Sequence, residues 1–151
     1  MKPLIVLIIS FFTSLVCTKL IAGNWLPVLA GNASMAVMLL FTSIGHFVYS
    51  KGMEMMMPAF IPLKKALVWL TGFIEIFAAI GLLIPSVREL TSRLLIVFFI
   101  LILPVNIQAA INKVDYQKAT NTGSGLSYLW FRVPLQLLFI AWVWYFGIYL
   151  S

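Results

Sequence analysis

Residues 67–85, LVWLTGFIEIFAAIGLLIP, form an apolar run long enough to cross a bilayer, and it carries one carboxylate, Glu75, near its middle. A helix satisfies its own backbone polar groups in hydrocarbon, so this run predicts a transmembrane helix. An ionisable group at that depth costs at least about 2.5 kcal/mol, and such groups face a bundle interior with a partner. Gly72, Glu75 and Ala79 fall at i, i+3 and i+7, flanked by Thr71 and Ala78. The carboxylate therefore emerges from the small-residue face, the face that packs against other helices.

With four further apolar runs, the predicted helices cover residues 4–22, 33–49, 66–84, 94–111 and 129–150, within one domain covering residues 1–151. With 63% hydrophobic and 9% charged residues, the chain has too little polar surface to coat a soluble core. The expected class is an all-α integral membrane protein whose main partner is the lipid bilayer. Ten basic residues give a net charge of +6 but form no basic block, so nucleic acid is not an expected partner. Cys17 is the only cysteine, which excludes an internal disulfide or a Cys-x-x-Cys redox pair. His46 is the only histidine and cannot by itself make a multi-histidine site, so no metal is expected.

Residues 4–22 also invite comparison with a cleaved signal peptide. The run is long for a signal core and no clear small-x-small site follows it, so a retained helix is expected. With five spans and a cytoplasmic N-terminus, Lys2, Lys51, Lys64, Lys65, Lys113, Lys118 and Arg132 lie inside, and Lys19, Arg88 and Arg93 outside. That asymmetry fits the positive-inside rule.

The connectors have distinct chemistry. Residues 23–32, GNWLPVLAGN, read as a short turn; the Asn32-Ala33-Ser34 sequon that begins there is not expected to be glycosylated. Residues 50–65, SKGMEMMMPAFIPLKK, have two prolines and three lysines and are expected along the headgroups. Their methionines read as a greasy interfacial connector, with a lid over a ligand cavity as the alternative. Residues 86–93 are expected to form a tight polar turn opened by Pro85. Pro104 leaves the carbonyl of Ile100 without its intrahelical donor and predicts a kink. Residues 112–127 are hydrophilic, rich in turn formers and long enough to be a mobile loop.

Under this topology His46, Glu75, Asn106, Arg132 and Gln136 come from four helices and lie in one half of the membrane or at its midplane. Arg132 is the expected countercharge of Glu75. Two roles are open to this set: a ligand or proton site, or interhelical hydrogen bonds that only lock helices together. A quinone site needs a donor for each carbonyl and a proton source, which His46, Glu75 and Gln136 can supply. A b-type haem needs a second axial ligand besides His46. Ion passage needs polar residues in both halves, and the other half is nearly bare.

The order of motifs, GHF in the second helix, MMMPAFIP, TGFIEIFAAIGLLIP followed by Arg88, LPVNIQAAI and LWFRVPLQ, resembles the DoxX-like family of small bacterial membrane proteins. The resemblance covers about residues 33–144. It implies a four-helix transmembrane bundle in the bacterial inner membrane, here with one extra N-terminal transmembrane helix. By motif, the family's polar positions correspond to His46, Glu75, Asn106, Arg132 and Gln136. For founding members the resemblance implies a subunit of a quinol oxidase or thiosulfate:quinone oxidoreductase. A quinone-linked, redox-associated component with a redox partner subunit is therefore one expectation. A non-catalytic assembly subunit is the other, and neither establishes a reaction.

Overall fold

In lipid the faces that a soluble fold would hide turn outward, and the computed structural model, which describes residues 2–151, has that inverted arrangement. Six helices, α1 (Lys2–Ala22), α2 (Pro27–Val48), α3 (Ser50–Met56), α4 (Lys64–Leu83), α5 (Pro85–Ile111) and α6 (Ser127–Trp144), precede a π-helical turn at Tyr145–Tyr149. Five helical stretches, all but α3, are long and apolar enough to cross a membrane, and Ile9, Phe12, Phe77 and Leu101 are exposed on them. The chain is a multi-pass membrane protein with an all-α fold.

α2 packs on α4, α4 on α5 and α5 on α6, giving the four-helix bundle, and α1 lies outside it along α2. Met35, Leu39, Ala79, Leu95 and Phe139 form the bundle core, joined by Leu7 from α1. The small-residue face of α4 turns inward as its spacing requires, with Gly72, Glu75 and Ala79 all buried.

Two proline-led boundaries differ from expectation. Pro27 and Pro85 each begin a helix, where a missing N–H leaves no bond unmade. The 23–32 turn therefore shrinks to residues 23–26. The expected tight turn at 86–93 is instead the start of α5, and Ile84 alone separates α4 from α5. Arg88 donates to the carbonyl of Leu82 (2.9 Å), covering an acceptor that the end of α4 leaves open. α5 runs as one element through Pro104.

The bundle has two unlike ends. At the far end, α2 touches the last turns of the chain. Asn32 donates to the carbonyl of Phe146 (2.8 Å), and Trp142 Nε1 donates to the carbonyl of Gly31 (3.0 Å). Gly31 has no room for a Cβ, which would fall 2.2 Å from the Phe146 ring. Asn32 is thus buried and bonded within the bundle, which closes its sequon.

At the opposite end, here the connector end, α3 and residues 112–126 fold over the helices. An isolated antiparallel bridge, Asp115 with Thr120, holds the loop in shape. A Cβ on Gly52 would lie 1.9 Å from the Tyr116 carbonyl oxygen, so the α3 and loop backbones are in direct contact. The hydrophilic stretch is a loop, but one packed onto the bundle.

Asn32→Leu should lower the stability of the detergent-solubilised protein by about 1 kcal/mol, the upper part of the range for an interhelical hydrogen bond in a membrane. Thermal unfolding monitored by circular dichroism checks this, with Leu29→Ala on the exposed side of α2 as the control expected to change little.

Candidate functional site

Building from α2 and α4 upward, the first contact is between a ring and a carboxylate. His46 Nε2 lies 3.4 Å from Glu75 Oε1, close for an ion pair though longer than a tight hydrogen bond. The other ring nitrogen, Nδ1, lies 3.1 Å from the Val68 carbonyl and 2.9 Å from Thr71 Oγ1. Thr71 Oγ1 also lies 2.8 Å from the Val68 carbonyl, so its one hydroxyl proton serves either that carbonyl or Nδ1, and the ring tautomer sets which.

On the opposite side the imidazole and the Glu75 carboxyl face each other inside the bundle, so a basic group stands beside the buried acid. Glu75 Oε2 remains buried with no hydrogen-bond partner.

Asn106 of α5 donates to Gln136 Oε1 of α6 (3.2 Å), and the Gln136 amide in turn donates to the carbonyl of Phe99. This chain of bonds ties α5 to α6 close to the proline-disturbed part of α5. Arg132 stands one helical turn nearer the connector end than Gln136. It makes no ion pair with Glu75, so the expected countercharge is corrected. The sequence offered two basic groups near Glu75, and the histidine on the helix packed against α4 is the one that reaches it. Arg132 Nε is buried without a partner.

All five residues line one cavity of about 770 Å³. It occupies the space between the second half of α2 and the first half of α6, helices that touch at the far end through Asn32 and Trp142. Met38, Leu39, Leu135 and Phe139 supply apolar wall, and Glu75 and Asn106 supply polar floor. Ile44 and Val48 of α2 and Ile5 of α1 also line it while lying exposed on the outside of the bundle, so the cavity opens sideways toward lipid.

The connector end roofs this space. Met53, Met56 and Met57 line it, so these methionines do more than fill an interface. Tyr116 and Gln117 of the loop, and Lys2 and Pro3 of α1, line it as well. Burial raises the Tyr116 phenol above its usual pKa, the nearby Tyr128 adds to this, and the charge of Arg132 opposes it. Sequence reasoning did not find the loop and α1 contributions. Their signal was only the aromatic and polar content of a hydrophilic loop and a lysine at the start of a helix.

Among the described residues, no group of three or more His, Cys, Asp or Glu side chains is arranged to hold a metal. Buried polar residues also occur at the far end, where Asn32 bonds across to the chain's last turns and Ser92 abuts Gly147. That half of the bundle is less bare than the sequence indicated.

A family model described as a domain of unknown function (DUF8561) matches residues 35–147, most of the chain and all five polar residues. No curated protein and no solved structure matches it.

Glu75→Gln should fold, because a glutamine amide can donate to Nε2 of His46 or accept from it. Glu75→Ala should cost about 1–3 kcal/mol by leaving the ring nitrogen unsatisfied, read as a lower unfolding temperature in detergent. Equal stability of the two variants would contradict a stabilising contact between His46 and position 75.

Proposed function

Since the chain belongs to the DUF8561 family, a domain of unknown function, and crosses the membrane several times, we propose that it is a DoxX-like, quinone-linked component of the bacterial inner membrane, with its N-terminus cytoplasmic. One observation carries the reading: Glu75, whose Oε2 is buried and unpartnered, lines a largely apolar cavity that opens toward lipid. An unsatisfied buried carboxylate oxygen is costly, and a hydrogen-bonding ligand relieves that cost. A site of this size with apolar walls and few polar groups suits a lipophilic ring.

A bound quinone would supply a two-electron, two-proton couple, with electrons exchanged through a redox partner subunit. This chain's share is binding and protonation. The side opening lined by Ile5, Ile44 and Val48 would admit a lipophilic molecule, and Phe99 and Phe139 line the cavity with aromatic rings. His46 and Glu75 stand side by side as the proton-exchanging groups of this reading, with the ring held by Thr71 and the Val68 carbonyl. The methionine roof and the 112–126 loop limit access of water from the connector end.

A second reading, a non-catalytic assembly subunit, draws on the Asn106, Gln136 and Phe99 hydrogen bonds, which join α5 to α6 with no ligand involved. The two readings separate on one preparation. Protein purified in mild detergent from quinone-containing membranes should retain extractable quinone, and Glu75→Gln, accumulating normally, should retain about tenfold less, as expected for losing a charge-assisted bond. A ligand-free wild-type protein, or equal quinone in the variant, would favour the assembly role and sink the quinone role.

A further inference from the structure

Arg132 raises a question that the quinone reading leaves unanswered. A guanidinium facing a partly apolar cavity near a membrane boundary calls for an anion. The chain has four carboxylates, and none serves. Glu75 is paired with His46, and Glu89 with Arg93. Asp115 accepts the backbone N–H groups of Gln117 and Lys118, and neither Asp115 nor Glu54 lies within ion-pair distance of Arg132. Arg132 Nε is nevertheless buried, which costs more than a guanidinium left in water.

The surroundings specify the missing anion. Lys2, at the start of α1, lines the same cavity, also with no ion pair among the described residues, and Tyr49 and Tyr128 are part of the same lining. Arg132 lies five residues into α6, about 7.5 Å along it, whereas Glu75 lies eleven residues into α4, about 16 Å along, so the cationic end is the shallower. Between this end and the lipid runs the apolar edge formed by Ile5, Ile44 and Val48. Positive charge at headgroup depth continuous with an apolar side opening fits an amphiphile with an oxyanion head.

We propose that Arg132, assisted by Lys2, binds the phosphate or carboxylate head of an anionic amphiphile, whose alkyl chain lies along the side opening lined by Ile5, Ile44 and Val48. A guanidinium can meet two head-group oxygens at once, and the two cations supply charge selection over a zwitterionic head. The site depends on the cavity and not on the quinone reading, because it uses the shallow end and leaves Glu75 free.

The test uses full-length protein in detergent, delipidated and then offered phosphatidylglycerol, phosphatidylcholine with the same chains, or palmitate, with bound molecules counted by native mass spectrometry. Phosphatidylglycerol or palmitate should be retained about fivefold or more over phosphatidylcholine, and which of the two dominates identifies a phospholipid or a free fatty acid as the source. Arg132→Gln should abolish the preference and Arg132→Lys should restore part of it. Lys2→Gln, at an exposed position where folding is not at risk, should weaken it about twofold to fivefold. Equal retention of anionic and zwitterionic lipid by the wild type, or an Arg132→Gln protein that keeps the preference, overturns the proposal. Glu75→Gln should keep the lipid preference even where it loses quinone, so failure of either reading is seen separately.

Discussion

A carboxylate at mid-depth in a bilayer persists only if its charge is cancelled where it stands, and much of the packing between α2 and α4 serves the contact between His46 and Glu75. Gly72 lets the helices close, since a Cβ there would fall 2.9 Å from the Cβ of His46. Thr71 and the Val68 carbonyl hold Nδ1 and so aim Nε2 at the carboxylate. A residue larger than glycine at 72, or an apolar one at 71, would separate or rotate the partners. Small residues and a hydroxyl, unremarkable in an apolar helix, thereby set the geometry of the His46–Glu75 pair.

The same economy explains the asymmetry of the two ends. At the far end the polar groups are spent on each other: Asn32 on the last turns of the chain, Trp142 on Gly31. α2 and α6 are drawn together there. Toward the connector end Gln136 is spent on α5, and nothing on α6 binds α2. The cavity lies in the space this leaves, and its unpaired atoms, Glu75 Oε2 and Arg132 Nε, are those that no helix partner reached.

The number of spanning helices, the inward face of α4 and the four-helix origin of the polar set were legible because each rests on local spacing of apolar, small and polar residues, whereas the short helix α3 falls in a stretch read as a connector. Helix starts were less so. Pro27 and Pro85 read as breakers in sequence, whereas a proline in the first turn is a compatible start, and only the flanking backbone decides between the two. The partner of Glu75 was misread for a different reason. Arg132 and His46 both lay on plausible neighbours, and the choice depended on which helix packs face to face with α4, a tertiary fact with no sequence period. The role of the 112–126 loop was hidden likewise, since its polar composition describes a solvent-facing segment equally well until Tyr116 is seen resting on Gly52.

The position of α1 bears on how the cavity is reached. The DUF8561 match begins at residue 35, so α1 and the start of α2 lie outside the matched region, while His46, Glu75, Asn106, Arg132 and Gln136 all lie within it. The polar floor is therefore built from the matched bundle, and one wall of the side opening, through Lys2, Pro3 and Ile5, is built from outside it. α1 is attached mainly along α2 and buries only Leu7 completely. A helix with one fully buried side chain is held less firmly than the four that close the core, because burial against protein is the main term distinguishing its packed position from lipid. Access to the cavity thus depends on its least anchored wall, and the chemistry at its floor on the most tightly packed helix pair.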